Sequence, residues 1–295
     1  MKKSQIFLII LASLITVFAG VMLFRTLREY SVAKDEYSDL SQYVTTVNTE
    51  AQDEMTEEEL AAEEAAAAQE DAAEEDEGYH FRRNFKRSDY PDLQIDFKGL
   101  KEVNPEVVAW LYAGPVGISY PVVQKKSDQE NSYYLHHTLE NKENSSGCIF
   151  MDWEVEPDLT SWNTFFYGHN MKNGSMFGSL KKYIANHNLY DKDPYIYVFR
   201  EEGIYRYKIY SYYLDTPESK MFYTCKTLKE YRAYIRTALE MTVYECKTPT
   251  SEEENSITLV TCSGAGAGKK RFFVHAIIQD RYLYPQQDQN IGNQQ

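Results

Sequence analysis

Three side chains near the ends of predicted strands could together break an amide bond. Cys262 ends the apolar run Ile257–Val260, and Arg271 begins the next one after the small, basic segment SGAGAGKK. Such runs favour two strands joined by a loop. Nearby positive charge lowers the pKa of a thiol and can stabilise the oxyanion that forms when a thiolate attacks a carbonyl. Lys269 and Lys270 are rivals for that second role, but Arg271 begins the strand alternation and is the better fixed.

The proton carrier for this chemistry is predicted at His169. The strand-like run Asn163–Tyr167 stops at Gly168 and leaves His169 at a strand-to-loop junction, a position suited to proton transfer. The alternative for Cys262 is a small buried residue on a strand. Histidine precedes cysteine in the chain, which argues against a papain-like fold, and no caspase-like QACRG sequence surrounds Cys262.

Several motifs resemble those of one enzyme family. TLVTC is similar to the TLxTC motif of sortases, YGHNMKNGSMFGSL resembles the segment around the catalytic histidine of class B sortases, and Arg271 occupies the place of their catalytic arginine. ISYPVVQ, YYLHHTLENKENSSG and CIFMD also resemble that class. The likeness runs from about Asp96 to Tyr284, with three separate motifs in the family's order.

This resemblance implies a membrane-anchored cysteine transpeptidase with the catalytic residues Cys262, His169 and Arg271. It would cleave a C-terminal sorting signal of the NPxTN or LPxTG kind in a secreted protein and join that protein to an amine of a cell-wall precursor or a pilin. The residues beside the cysteine, Val260, Thr261 and Ser263, are expected to contact the peptide. No cofactor, metal or nucleic acid is implied, and the SGAGAGKK loop is less polar than in many class B members.

Two alternatives remain open at this level. A hydrolytic cysteine peptidase of the same fold would differ only in using water to resolve the thioester. An anchored adhesin or scaffold would keep the shape without turnover. Both predict the same barrel, so only a reaction can separate them.

The N-terminal segment is predicted to span a membrane. Residues 6–24 carry no charge and only two polar side chains, Ser13 and Thr16, which is enough helix to cross a hydrocarbon core. A removable signal peptide would have a shorter apolar core and a clearer cleavage site. We therefore predict a cytoplasmic N-terminus at 1–5 and, from the resemblance, an extracellular catalytic domain.

Residues 25–89 are predicted to be an acidic linker. The stretch Glu50–Gly78 holds 14 acidic residues and no Lys or Arg, and this count equals the net charge of −14 for the whole chain. The remainder is close to neutral, so the acidity is a property of the linker. Dense like charge among alanines favours a mobile tether, with partial helix or an acidic docking tail as alternatives.

The folded domain is expected over 90–285, followed by a polar tail at 286–295. Many short strands separated by turn signals predict a mainly β barrel or sandwich, and the resemblance specifies the closed sortase barrel with an N-terminal helical extension. One amphipathic helix is predicted before the last strands, with Leu228, Tyr231, Ile235 and Leu239 on its apolar stripe.

The remaining cysteines and histidines are expected to be structural. Cys148 lies in an apolar strand, Cys225 and Cys246 flank the amphipathic helix and could pair, and no spacing typical of zinc ligands is present. His275 lies four strand residues from Arg271, roughly 13 Å away, too far to share its site. His136 and His137 are expected to make structural hydrogen bonds.

Overall fold

A long helix, Lys3–Asp39 (α1), begins the part of the chain that this computed structural model describes, which is residues 3–46, 86–250, 253–262 and 270–284. Its apolar section at 6–24 is exposed along its whole length. Within the described ranges, this is the one helix long and apolar enough to cross a membrane. The prediction of an N-terminal apolar helix is confirmed.

Eight strands close into a barrel, and two short strands form a separate ladder. The order around the barrel is β10-β8-β7-β3-β4-β5-β6-β9, and the β4–β5 and β6–β9 pairs are parallel while the other pairs are antiparallel. The strands are Val44–Thr46 (β1), Leu93–Ile95 (β2), Val107–Ala113 (β3), Ile118–Val123 (β4), Ile149–Met151 (β5), Asn163–His169 (β6), Tyr195–Phe199 (β7), Gly203–Asp215 (β8), Ser256–Cys262 (β9) and Arg271–Leu283 (β10).

In the described ranges, four further α-helices lie around the barrel: Phe97–Val103 (α2), Lys182–Ala185 (α3), Asn188–Lys192 (α4) and Leu228–Met241 (α5). Helix α5 begins with a capping box, in which Thr227 and Glu230 accept each other's backbone N–H groups. Its position before the last strands confirms the prediction. The buried stripe differs slightly, since Tyr234 and Ala238 are enclosed while Leu239 is exposed.

The two faces of the barrel wall have separate apolar cores. Strand residues pointing inward, such as Leu111, Val198 and Leu259, fill the interior and are fully buried. On the outer face, Val260 and Phe273 belong to an aromatic cluster that α5 covers. Because successive side chains of a strand point to opposite faces, the two cores alternate along β9 and β10. This alternation fixes the strand register and hence the position of the strand ends.

The first part of the segment predicted as a linker is ordered against the barrel. Helix α1 continues to Asp39, and β1 pairs antiparallel with β2. Tyr30 and Ala33 lie against the domain on one stripe of the helix, and Leu40, just after the helix, is buried as well. The helical and packed region therefore extends 22 residues into the predicted linker, from 25 to 46. The acidic stretch Glu50–Gly78 and the tail 286–295 lie outside the described residues.

His275 makes folding stability sensitive to acid. It is fully buried on β10, with the Thr258 and Tyr213 hydroxyls each 2.9 Å from a ring nitrogen, and burial lowers its pKa from 6.5 to about 3. The unfolded chain therefore binds a proton that the folded chain excludes between these two values. We expect this residue to remove roughly 1.4 kcal/mol of stability per pH unit as pH falls from about 6 to about 3.

The measurement is urea unfolding of the barrel across this pH range for the wild type and for His275→Gln. The variant should start less stable but lose stability less steeply on acidification. Equal slopes for the two proteins would contradict the assignment.

Candidate active site

Three neighbouring strands end or begin at one rim of the barrel. His169 is the last residue of β6, Cys262 is the last residue of β9, and their backbones pair directly in the parallel ladder. Adjacent strands lie about 4.8 Å apart, so this register places the two positions side by side. The pairing is non-local, since the two positions are 93 apart in the residue numbering. The predicted nucleophile and proton carrier are thus brought together.

Arg271 is the first residue of β10, on the other side of β9. Val260 pairs with Phe273, and two residues further along each strand are Cys262 and Arg271. Continuing this antiparallel register therefore sets Arg271 opposite Cys262. The guanidinium Nη1 of Arg271 is buried and has no hydrogen-bond partner among the described residues. An unpaired buried donor beside the predicted nucleophile is free to bind a developing negative charge.

The imidazole of His169 is held by a backbone carbonyl. Its Nε2 lies 2.7 Å from the carbonyl oxygen of Leu135, and only 8% of the residue is exposed. A carbonyl oxygen can only accept, so Nε2 carries the hydrogen and Nδ1 is the basic nitrogen of the neutral ring. This bond fixes the tautomer and leaves Nδ1 to exchange protons with a neighbour.

The pKa of His169 lies below its ordinary value of 6.5. Burial is the largest cause, while the neighbouring His136 and the positive charge of Arg271 lower it further and the Leu135 carbonyl opposes them. His169 is therefore neutral at pH 7 and can accept a proton there. A proton that it takes up is held weakly and is readily passed on to a leaving amine.

The residue before His169 on β6, Gly168, is closely packed by its neighbours. A Cβ on Gly168 would stand 2.5 Å from Cδ1 of Ile149 and 2.8 Å from the Phe177 ring. No side chain fits at this position, so the glycine that signalled a strand end in the sequence is required here by steric contact.

The residues predicted to contact substrate occupy different surroundings. Val260 is fully buried beneath α5, and Thr261 is 2% exposed with its Oγ1 accepting the backbone N–H of Phe272 at 2.9 Å. Both side chains are enclosed, and their contact with a peptide stays a prediction. Ser263 and Lys269 lie outside the described residues, whereas Lys270 is exposed.

One depression among the described residues, of about 260 Å³, is lined by Phe165 and Tyr167 of β6 together with Phe222 and Asp152. The Tyr167 hydroxyl donates to Asp152 at 2.8 Å. The second, of about 410 Å³, is lined by polar and aromatic residues, namely Lys125, Ser127, Asp128, Ser132, Tyr133, His136 and His137.

The YYLHH motif contributes more to this site than sequence reasoning predicted. His137 makes the expected structural contacts, stacking on Tyr133 and hydrogen-bonding its carbonyl. His136 is exposed, and its ring centre lies 6.4 Å from that of His169. The Leu135 carbonyl had no signal in the sequence, because a backbone atom carries none.

The other three cysteines do not take part in the candidate active site. Cys148, Cys225 and Cys246 are all free thiols, so the pairing of Cys225 with Cys246 that the sequence left open is not formed. Burial raises the pKa of each of the three thiols to about 12. Each therefore stays protonated and unreactive at neutral pH.

Comparison with known proteins agrees with this geometry. The family model for the sortase domain matches residues 112–279. Sortase B of Listeria monocytogenes is 32% identical over 177 residues, covering 58% of this chain and 68% of the relative, and sortase B of Staphylococcus aureus is 26% identical over 170 residues, covering 57% and 68%.

A solved structure gives the same result at the level of the fold. Sortase B of Clostridium perfringens superposes with a TM-score of 0.57 at 28% identity, covering 62% of this chain and 99% of that one. The family match spans most of the barrel and includes the histidine, cysteine and arginine positions. This chain therefore belongs to the sortase family, within class B, and is a cysteine transpeptidase.

Proposed function

We propose that this protein is a membrane-anchored sortase that cleaves a C-terminal sorting signal of the NPxTN or LPxTG kind and joins the released protein to an amine. The observation that carries the proposal is the pairing of Cys262 with His169, with the unpaired Arg271 donor on the next strand. The amine would come from a cell-wall precursor or from a pilin lysine.

The first half of the reaction forms a thioester. The Cys262 thiol gives its proton to Nδ1 of His169, and its sulfur attacks the carbonyl carbon of the threonine in the signal. The C–S bond forms and the carbonyl electron pair moves to oxygen. Arg271 stabilises this oxyanion through Nη1, which has no hydrogen-bond partner among the described residues. When the intermediate collapses, the C–N bond breaks and the leaving amine takes a proton from His169.

The second half transfers the acyl group. The incoming amine gives a proton to Nδ1 of His169 and attacks the thioester carbonyl. The C–S bond then breaks, and the leaving thiolate takes that proton from His169. His169 acts first as base and then as acid in each half, which suits a histidine whose pKa lies below 6.5. The chain's own residues supply every proton transfer in this scheme.

The depression over β6 supports a peptide-binding role. Phe165, Tyr167 and Phe222 offer apolar contact, and Asp152 offers an acceptor already oriented by Tyr167. The groove lies on the outer face of the strand that ends in His169. A signal peptide lying along β6 would present its scissile bond at the barrel rim.

The proposed location is the outer face of a membrane. Helix α1 supplies an apolar span at 6–24, and the catalytic domain would lie outside with the N-terminus inside. Membership of the family and the apolar helix together support this proposed topology.

The decisive experiment incubates the full chain, in detergent or nanodiscs, with a sorting-signal peptide and then with triglycine or diaminopimelate. We expect a mass adduct on Cys262 equal to the acyl fragment and, once amine is added, a ligated product. Free acid alone, with or without amine, would favour a hydrolytic peptidase. Absence of both cleavage and adduct would favour a scaffold and overturn the proposal.

A further inference from the structure

The part of α1 that follows the apolar section is seated on the catalytic domain. Residues 4–29 are exposed, burial begins at Tyr30 and continues at Ala33 and Glu36, and Leu40 is buried just after the helix ends. This spacing places the buried residues on one face of the helix. Tyr30 follows Phe24, the last residue of the apolar section, by six residues, or about 9 Å along the helix axis. The apolar section and the seated section therefore form one continuous helix.

The seat on the domain is the segment 140–147, which precedes β5. Four hydrogen bonds join it to α1: Asn144 Nδ2 donates to the Glu29 carbonyl at 3.1 Å, Ser145 Oγ to the Glu29 carboxylate at 2.7 Å, the Glu140 N–H to the Glu36 carboxylate at 3.2 Å, and the Tyr37 hydroxyl to the Gly147 carbonyl at 2.6 Å. The Tyr37 ring also packs edge-on against Tyr120, with centroids 5.6 Å apart.

Gly147 links this seat to the catalytic histidine. Its φ is +57°, and a Cβ there would lie 2.4 Å from the carbonyl oxygen of Tyr134 and 2.8 Å from that of Leu135. The Leu135 oxygen is the acceptor of the His169 Nε2–H. One residue thus accepts a hydrogen bond from α1 and touches the carbonyl that fixes the His169 tautomer.

Backbone hydrogen bonds make the seat and the turn at 133–136 one unit. The Asn144 N–H donates to the His136 carbonyl, and the Cys148 N–H donates to the Tyr134 carbonyl, both at 2.9 Å. The turn is therefore held on both sides of Leu135 by the segment that α1 contacts. A shift of the segment must move the turn, because backbone hydrogen bonds at this length leave little slack.

We propose that α1 is an integral part of the catalytic domain and that Tyr37 positions His169 through Gly147 and Leu135. The membrane helix then does two things, since it holds the domain at the membrane surface and stabilises the turn that orients the catalytic imidazole. Tyr37 is a positioning residue, because it acts only through the carbonyl that His169 binds. The effect on turnover rests on the proposed function, but the effect on the imidazole does not.

The test compares Tyr37→Phe with wild type in the full chain, in lipid nanodiscs. The variant keeps the ring and removes one hydroxyl, so the seat stays filled while Gly147 loses its bond to α1. We expect kcat/KM for a sorting-signal peptide to fall about three- to tenfold. The acidic limb of its pH profile should move to lower pH, because the Leu135 bond favours the protonated ring and is now weaker.

A readout independent of catalysis is the tautomer of His169. Nitrogen NMR of histidine-labelled protein, assigned with His169→Gln, should show the Nε2–H form in the wild type and a mixture with the Nδ1–H form in Tyr37→Phe. If the wild type turns over no peptide but this tautomer change appears, the proposed function fails while this inference stands.

Tyr30→Phe is the matched control. Tyr30 packs from the same helix against the barrel, and among the described residues it makes no hydrogen bond to segment 140–147. It should leave the tautomer and the pH profile as in wild type. If Tyr37→Phe is indistinguishable from Tyr30→Phe in both measurements, α1 is an anchor alone and the inference is wrong.

Discussion

Replacing Cys262 with alanine is expected to lower sorting-signal cleavage by at least about 10⁴-fold, since it removes the thiol that forms the acyl intermediate. The three remaining cysteines have pKa values raised to about 12 and cannot substitute. The residue ends a strand whose pairing to β6 and β10 is made by backbone atoms, so the barrel should form normally.

The measurement is peptide turnover by mass spectrometry, with thermal unfolding as the check on folding. Cys225→Ala is the matched control, because it removes a thiol from the same domain outside the strand rim. It should retain nearly full turnover. Residual cleavage by Cys262→Ala within about tenfold of wild type would show that the nucleophile lies elsewhere.

The second large effect is expected at Arg271. Loss of a fixed donor to an oxyanion typically costs about 100- to 1,000-fold in rate, and the buried, unpaired Nη1 marks this side chain as such a donor. Arg271→Lys should be nearly as impaired as Arg271→Ala, because a single ammonium cannot reproduce the planar fork of the guanidinium. Lys270, exposed at the edge of the loop, should tolerate alanine with a loss of about tenfold or less.

A second readout distinguishes an electrostatic role for Arg271 from a structural one. Its positive charge lowers the pKa of His169, so Arg271→Ala should move the acidic limb of the kcat/KM profile to higher pH, and Arg271→Lys should move it less. If Lys270→Ala loses most of its peptide turnover while Arg271→Lys keeps nearly all of it, the assignment of Arg271 as the oxyanion donor is wrong.

Much of the site could be predicted because each residue sits at a local boundary. Gly168 ends an apolar run before His169, and the loop after Cys262 separates two apolar runs. The strand ends can therefore be predicted from the sequence. The closed barrel and the helix before the last strands also followed from local patterns and the family resemblance. Helix α5 was found with its stripe shifted by one position, since packing selects Tyr234 and Ala238 over Leu239.

Other features could not be predicted from the sequence, because they depend on contacts between segments that are far apart in the chain. The Leu135 carbonyl carries no side-chain signal, and its role exists only because the 133–136 turn meets the end of β6. The same holds for the start of the predicted linker. Its composition near the acidic stretch suggested a tether, while Tyr37 and Glu36 found partners more than 100 residues away.

By itself the sequence determined which residue types could carry out the chemistry of this sortase and where its strands end, because charge, periodicity and glycine placement act over a few residues. The tertiary structure decided which strand ends meet. Barrel closure sets β6 parallel beside β9 and so places His169 against Cys262, and the seating of α1 decides what supports that histidine. These outcomes depend on contacts between residues far apart in the chain, whose free energies appear only when the whole barrel is closed.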